Sequence, residues 1–353
     1  MSNQIFQTLK ELPTPLFQVQ CVLHKHELLI CGGFGERACY SYDTLKSEYK
    51  LICEYPSEVE LAGHCVVKLM DNNKDIDQVT LLSFGGYPKH TLVMKYVSVW
   101  SNTLDISNKS NQFNNYNQWV PFTDNHNHPI IIGRDQDKYL GVRAVIGGSN
   151  NSLLFITYSG NISVFDLNTF QFIKHDTLLT SDYIDYHCFV ANSENGQDMM
   201  KINKQNYQML LFCRNTGLSI EYDEDNNTFQ FHQIPVCKDI TPFFCYAYVD
   251  INDIILFFGG WNNRYGTNAA ISKAVHKYSI RENKWITFQN TLNSPLHYCV
   301  AILSKDNNIH IIGGVDDKEN IISTHIKTKV REWDLSQLVM ICLFIFIYFD
   351  ENK

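Results

Sequence analysis

The sequence lacks the short motifs that mark nucleotide sites and activated nucleophiles. It contains no G-x-S-x-G, no P-loop and no G-x-G-x-x-G, the patterns in which glycines expose a serine or hold phosphate. It also lacks a basic block: its 29 Lys and Arg residues are scattered and the net charge is −8, so a nucleic-acid-binding surface is not expected. The sequence therefore gives no support to a P-loop or dinucleotide-binding site, a G-x-S-x-G hydrolase or a nucleic-acid-binding protein.

Targeting signals and long apolar runs are also missing. The first ten residues are polar and show no secretory pattern. Eleven cysteines, an odd number, in a chain without an export signal favour a reduced, cytoplasmic protein. The longest apolar run, Leu338–Phe349, has twelve residues, short of the roughly 20 that a membrane-spanning helix needs. We interpret 335–353 as a separate hydrophobic tail, either an edge strand, a short membrane anchor or a non-native end.

A repeated pattern fills the rest of the chain, and its clearest copy lies at 254–285. There an apolar strand ends in Gly259-Gly260, and Tyr278 and Trp285 follow. Related copies begin at Leu28, Thr80, Leu153, Met209 and Ile309. In four copies the two aromatic positions are seven residues apart, as in Tyr42/Tyr49, Phe165/Phe172, Tyr222/Phe229 and Tyr278/Trp285. The period is about 50 residues, which is typical of a repeat architecture.

This pattern resembles the kelch repeat of the galactose oxidase/kelch superfamily: a hydrophobic strand, a glycine pair, a spaced Tyr and a spaced Trp. The resemblance implies an all-β protein, a six-bladed β-propeller of four-stranded antiparallel blades. The third copy is worn, with Ser159-Gly160 at the expected doublet, while Gly147-Gly148 reads as an earlier turn. We expect one propeller domain over residues 1–334.

The sixth copy has no clear fourth strand of its own. The segment Asn3–Leu16 aligns without gaps to Asn283–Leu296, which is a fourth strand plus linker in the preceding copy. We therefore expect the N-terminal strand to complete the last blade and close the ring, since an open ring leaves two blade interfaces unmade. The alternative is that Leu338–Phe349 takes that edge.

Five cysteines recur near the first strand of a repeat, at positions 21, 65, 188, 245 and 299. We interpret them as small apolar residues of innermost strands. The nearby histidines do not have the tight spacing of known zinc sites, and the acidic stretches Asp71–Asp77 and Asp223–Asn227 lack the glycine and glutamate of a calcium loop. No metal and no cofactor are expected.

Most proteins of the resembled family are interaction modules, so we expect a non-catalytic scaffold that binds an unidentified protein partner through one face. The loops after each second strand emerge on that face with the links between blades, and loops on rigid scaffolds carry binding residues. They offer Trp, Tyr and Arg side chains, the types that dominate interface energies. These candidates are Arg37, Tyr87, Arg214, Trp261, Arg264 and Tyr265, although Trp261 could instead pack between blades.

The alternative is a propeller enzyme with an axial site, either an oxidase similar to galactose oxidase or a sugar-acid mutarotase. The mutarotases use Arg and Glu near the axis, and Arg143 on a predicted innermost strand fits the arginine role. An enzyme should show ionisable groups converging near the axis with shifted pKa values. An interaction module should show an aromatic and basic surface on one face and an ordinary channel.

Overall fold

The computed structural model describes residues 5–70, 78–101, 116–191, 206–262 and 270–334. Within these ranges the chain forms 24 β-strands and a single 3₁₀ turn, Val330–Glu332. No helix in the described ranges is long and apolar enough to cross a membrane. The predicted tail, 335–353, and the loop containing Arg264 and Tyr265 lie outside the described residues.

The strands are numbered in chain order. The first twelve are β1 Gln7–Thr8, β2 Gln20–His24, β3 Glu27–Gly33, β4 Glu36–Asp43, β5 Glu48–Glu54, β6 His64–Leu69, β7 Gln78–Gly85, β8 His90–Val97, β9 Val120–Pro121, β10 Arg143–Gly147, β11 Leu153–Tyr158 and β12 Asn161–Asp166. The remainder are β13 Gln171–Thr177, β14 Cys188–Ala191, β15 Asn206–Cys213, β16 Thr216–Asp223, β17 Thr228–Gln233, β18 Ala247–Ile251, β19 Ile254–Phe258, β20 Val275–Ser279, β21 Lys284–Thr287, β22 Val300–Leu303, β23 Asn308–Ile312 and β24 His325–Lys329.

These strands form six four-stranded antiparallel sheets, which confirms the six-bladed propeller. Blades 1 to 5 are β2–β5, β6–β9, β10–β13, β14–β17 and β18–β21, and blade 6 is β22-β23-β24-β1. Around the axis, β2 contacts β6 and β22, β10 contacts β6 and β14, and β18 contacts β22. The N-terminal strand therefore closes the ring as predicted, with Gln7 opposite Lys327 and Thr8 opposite Ile326.

The hydrophobic core lies between the blades. Second strands such as β3 and β19 are buried along their whole length. Six apolar clusters each join neighbouring blades, and the cluster around Leu16, Ile30 and Ile312 joins the sixth blade to the first. Burial of apolar surface is the main favourable term in folding, so the ring is stabilised at every interface, including the one where it closes.

The constant seven-residue spacing of the aromatic pairs has a simple structural cause. Each pair lies directly opposite across the third and fourth strands of its blade, as in Tyr42/Tyr49 and Tyr278/Trp285. Their ring centroids are 4.7 and 5.1 Å apart, within the range of favourable aromatic contacts. The glycine pair has a different cause: a Cβ on Gly259 would lie 2.1 Å from the Leu296 carbonyl oxygen of the next linker. The repeated aromatic residues thus pack within a blade, and the repeated glycines allow the next linker to approach closely.

The recurring cysteines, in contrast, are not equivalent in register. Each first strand has one residue opposite the end of its second strand: Gln20, Cys65, Arg143, Cys188, Ala247 and Val300. Cysteine occupies this position in two blades only. The interpretation of the cysteines as residues of innermost strands is confirmed for Cys21, Cys65 and Cys188, and is wrong for Cys245 and Cys299, which lie just before a first strand. Cys21 and Cys299 are one residue out of register with Cys65, so their side chains point to the other face.

Candidate functional site

Six residues form a collar around the axis where the chain enters each blade. They each lie one or two residues before a first strand, and all six have left-handed backbone conformation. The collar residues and their φ angles are Gln18 (55°), Gly63 (63°), Gly141 (71°), Tyr186 (46°), Cys245 (54°) and Tyr298 (52°). Four of the six are not glycine. Left-handed backbone at such residues is uncommon and destabilising, and it clusters at functional sites.

Backbone hydrogen bonds link the collar residues in series. Gly141 N–H donates to Gly63 at 2.8 Å and Tyr186 N–H donates to Gly141 at 2.9 Å. In the other half of the collar, Tyr298 N–H donates to Cys245 at 2.8 Å and Gln18 N–H donates to Tyr298 at 2.9 Å. Among the described residues the series has two breaks, between Tyr186 and Cys245 and between Gln18 and Gly63. The collar is therefore two arcs separated by two opposed gaps.

The Tyr186 side chain crosses the mouth of the channel. Its hydroxyl lies 2.7 Å from where a Cβ on Gly63 would stand, and its backbone nitrogen lies 2.7 Å from a Cβ position on Gly141. The Tyr186 ring meets the Tyr298 ring edge-on at 4.9 Å, and the Arg143 guanidinium lies 5.8 Å from its centroid. Two tyrosines and an arginine thus converge at the axis.

Asp185 precedes Tyr186 and brings a carboxyl group to one of the collar gaps. Burial raises the pKa of Asp185 from 3.8 to about 6, and the positive charges of Arg214 and Arg143 oppose that rise. Its Oδ1 is buried and has no hydrogen-bond partner among the described residues. Gln18 Oε1, at the other gap, is also buried without such a partner. A buried polar atom without a partner is costly, so both gaps have groups suited to binding a ligand.

An aromatic arc continues from the collar across the same face. Its ring contacts run from Phe34 to Phe17 at 5.0 Å, from Phe17 to Tyr298 at 6.1 Å, from Tyr298 to Trp261 at 6.4 Å and from Trp261 to Phe244 at 5.9 Å. The Arg214 guanidinium lies over the Phe244 ring at 4.1 Å, which is a cation–π contact. The arc therefore begins at an exposed phenylalanine and ends at a cation beside Asp185.

The structure places the predicted binding residues in different settings. Trp261 and Arg214 belong to the aromatic arc, and Trp261 also packs against His297 at 5.6 Å. Tyr87 is 76% exposed on the same face. Arg37 lies inside β4, where its guanidinium donates to the Tyr55 carbonyl at 3.1 Å and pairs with Glu54 at 3.3 Å. The structure thus brings together two of the four candidates that it describes.

Solved structures with a similar fold include YjhT and a fungal alcohol oxidase. YjhT is 14% identical to this chain with a TM-score of 0.60, and the match covers 90% of this chain and 96% of YjhT. A fungal alcohol oxidase of the AA5 family, in complex with copper, is 11% identical with a TM-score of 0.54. That match covers 88% of this chain and 61% of the oxidase. The sequence matches no protein-family profile and no curated protein.

The comparison corrects the expectation that this chain has no catalytic activity. That expectation came from the scaffold role common among kelch propellers, yet the same fold carries an alcohol oxidase. The axial cluster includes a carboxyl group whose pKa is raised by burial, near two guanidinium groups, which is the kind of group expected of an enzyme site. At 11–14% identity the likeness extends to the fold alone.

The residues at the axis do not fit a copper centre. Copper(II) is held by converging imidazole and oxygen donors, and within the described ranges no group of three or more His, Cys, Asp or Glu side chains could hold a metal. His64 bonds the Cys31 carbonyl at 3.1 Å and His187 bonds Thr157 at 2.6 Å. Asp223 bonds Asn226 in a hairpin turn, while 71–77 lie outside the described residues.

Proposed function

We propose that this protein is an enzyme that binds a small carboxylate-bearing sugar at the collar and moves a proton on it. The observation that carries the proposal is the buried Asp185 carboxyl with an unpartnered oxygen, placed near Arg143 and Arg214. A group whose pKa is close to the working pH can both donate and accept protons. The reaction type that fits best is mutarotation of a sugar acid, the second enzymatic alternative from the sequence.

The neighbouring side chains supply the remaining needs of such a reaction. Guanidinium groups bind carboxylates with strong charge-assisted hydrogen bonds, so Arg143 is the proposed anchor of the substrate carboxylate. The rings of Tyr298 and Trp261 offer apolar faces to a sugar ring. Burial keeps the pKa of Tyr186 well above its usual range, so its hydroxyl stays protonated and can donate a hydrogen bond.

In the proposed reaction, protonated Asp185 gives its proton to the ring oxygen of the sugar while the anomeric hydroxyl loses one to water. The ring bond breaks and a carbonyl forms. Rotation about the adjacent bond and reversal of these proton transfers give the other anomer, and Asp185 ends in its starting state. The step needs no cofactor, since no atom is oxidised or reduced.

Exchange NMR tests this proposal directly. Anomer interconversion is measured for a hexuronic acid, a nonulosonic acid and a neutral hexose, with and without protein. We expect acceleration for at least one acid and none for the hexose, with loss of the acceleration in Asp185→Asn and a raised KM in Arg143→Gln. The exposed Asp225→Asn is the matched control. If the folded wild type accelerates neither acid, the mutarotase proposal fails.

A protein-binding role on the same face is the second candidate, supported by the exposure of two large aromatic side chains. Phe34 is 49% and Tyr87 is 76% exposed, and both loops bond to the linkers of this face. We propose that a partner would dock there. A partner captured by wild type and by Leu45→Ala, on the opposite face, should be lost from the Phe34→Ala, Tyr87→Ala double variant. Equal capture by all three proteins would remove this candidate.

The finer assignments of family and location stay proposals. We infer a kelch-type propeller from the glycine pairs and the directly opposed aromatic pairs, which recur in four blades each. A reducing compartment such as the cytoplasm is consistent with the ten described cysteines, all of which are free thiols.

A further inference from the structure

Three cysteines lie in a row across the first blade, far in sequence from the collar residues of the other blades. Cys31 on β3 is directly opposite Cys39 on β4, and Cys39 is directly opposite Cys53 on β5. The three thiols bond to other groups in this state: Cys31 donates to the Leu29 carbonyl and Cys39 to the Arg37 carbonyl, both at 3.8 Å, and Cys53 donates to the Met94 sulfur at 3.6 Å. Nothing in the proposed reaction uses these groups.

The register gives this row the geometry of a disulfide. Directly opposed residues of antiparallel strands have Cα atoms about 4.5–5.5 Å apart, and disulfides join Cα atoms about 4.4–6.8 Å apart. Both neighbours of Cys39 therefore lie within the Cα spacing that a disulfide spans. The β4–β5 ladder also has a bulge next to Cys39, which gives the outer strand local freedom to adjust.

Exposure distinguishes the two possible pairs. Cys31 and Cys39 are both 0% exposed, whereas Cys53 is partly exposed on the outermost strand of its blade. Cys53 also contacts the Met94 sulfur at 3.6 Å, and the Trp119 indole N–H donates to Cys39 at 3.3 Å. An oxidant in solution thus reaches Cys53 first, and Cys39 is the thiol placed behind it.

We propose that Cys53 is a reversible oxidation site with Cys39 as its resolving thiol, and that a peroxide is the oxidant. The Cys53 thiolate attacks hydrogen peroxide, forming Cys53–SOH and releasing hydroxide. The Cys39 thiol then attacks that sulfur, forming the Cys39–Cys53 disulfide and releasing water. Two thiols are oxidised while one peroxide is reduced, and an external dithiol reverses the change.

The rate of this oxidation should be low. The neighbouring Cys39 thiol and burial raise the pKa of the Cys53 thiol, so little thiolate is present at neutral pH. We therefore expect Cys53 to be oxidised only when the protein is exposed to peroxide for a long time. Because the disulfide ties β5 to β4, we expect oxidation to raise the Tm of the protein and reduction to restore it.

Peptide mapping of the full chain after treatment with hydrogen peroxide tests the site. Cleavage after Arg37, Lys46 and Glu60 separates the three cysteines onto different peptides. We expect a Cys39–Cys53 linked peptide whose mass is two hydrogens below the sum of its parts and which dithiothreitol abolishes. In Cys39→Ser, dimedone should label Cys53 and the linked peptide should be absent. In Cys31→Ser, the linked peptide should form as in wild type.

The partly exposed Cys237 is the matched control, since its sulfur contacts the Thr287 hydroxyl and no thiol of the described residues. It should react with dimedone after peroxide without forming an intramolecular disulfide. A folded wild type that keeps Cys53 reduced, or that links Cys31 to Cys39 first, would overturn the proposal. The wild-type mapping decides this even if a serine variant fails to fold.

Discussion

Replacement of Asp185 by Asn should stabilise the protein while abolishing its proposed activity. The carboxyl is buried beside the collar, and its Oδ1 has no hydrogen-bond partner among the described residues. Folding therefore disfavours its ionised form. Asn is uncharged at every pH and has nearly the same shape, so the substitution removes that cost without creating a cavity.

The magnitude follows from the pKa. Burial raises the pKa of Asp185 from 3.8 to about 6, with Arg214 and Arg143 already opposing the rise. Since one pKa unit corresponds to about 1.4 kcal/mol, ionised Asp185 destabilises the folded state by about 3 kcal/mol above pH 7. The protonated Asp185 carboxyl thus contributes its full stability below pH 4, and this stability is lost as the pH rises through 6.

Urea denaturation at pH 3.5 and pH 8, followed by circular dichroism, measures the difference. Asp185→Asn should be about 3 kcal/mol more stable than wild type at pH 8 and equal to it at pH 3.5. The exposed Asp225→Asn should match wild type at both values. If Asp185→Asn is destabilised at pH 8, the carboxylate has a stabilising partner and its proposed role as a proton donor loses its basis.

Three further predictions concern the collar, the N-terminal segment and a buried histidine. Gly141→Ala should destabilise the protein by more than about 2 kcal/mol, because the added Cβ would lie 2.7 Å from Tyr186 and φ is 71°. Gly160 has φ at 80° but open space around it, so Gly160→Ala should cost only about 1 kcal/mol. Equal losses of unfolding free energy in urea titrations would contradict the close contact at Gly141. Phe6→Ala should cost about 3–5 kcal/mol, since Phe6 is 1% exposed and packs in the apolar cluster between blades 5 and 6, against Phe258 and Trp333; an unchanged Tm would mean that the N-terminal segment does not pack on blade 6. Burial lowers the pKa of His310 from 6.5 to about 4, so the neutral imidazole contributes stability above pH 6.5 that is lost as the pH falls towards 4. Urea denaturation at pH 4 and pH 7 measures this loss of unfolding free energy, which should be about 3 kcal/mol smaller in His310→Gln than in wild type. The exposed His126→Gln should lose as much as wild type.

The fold was predictable from the sequence because each blade needs the same contacts. A glycine pair permits close approach of the next linker, and an aromatic pair seven residues apart lies directly across a ladder, so both leave a regular trace in the sequence. The closing strand was predictable for the same reason: Asn3–Leu16 has the pattern of a fourth strand and its linker.

The collar was not predicted, because its residues share a backbone conformation and no chemistry. Glutamine, glycine, tyrosine and cysteine all occupy left-handed positions there, and side-chain patterns do not report φ. Asp185 and Tyr298 lie in linkers that are separated by two blades in the sequence. No short motif therefore indicates that they lie close together. Arg143 could be found as the one charged residue where the other blades have Gln, Cys, Ala or Val.

Blade 6 also sets the order of events when the protein is made. Its fourth strand, Gln7–Thr8, is translated before the first blade, whereas its partner β24 is translated after the fifth. The early strand must wait unpaired while five blades are synthesised, so its short length and two exposed side chains reduce the risk of mispairing with another chain. Completion of the ring therefore has to follow the synthesis of β24, and a ribosome stalled before β24 would hold a propeller with an open edge.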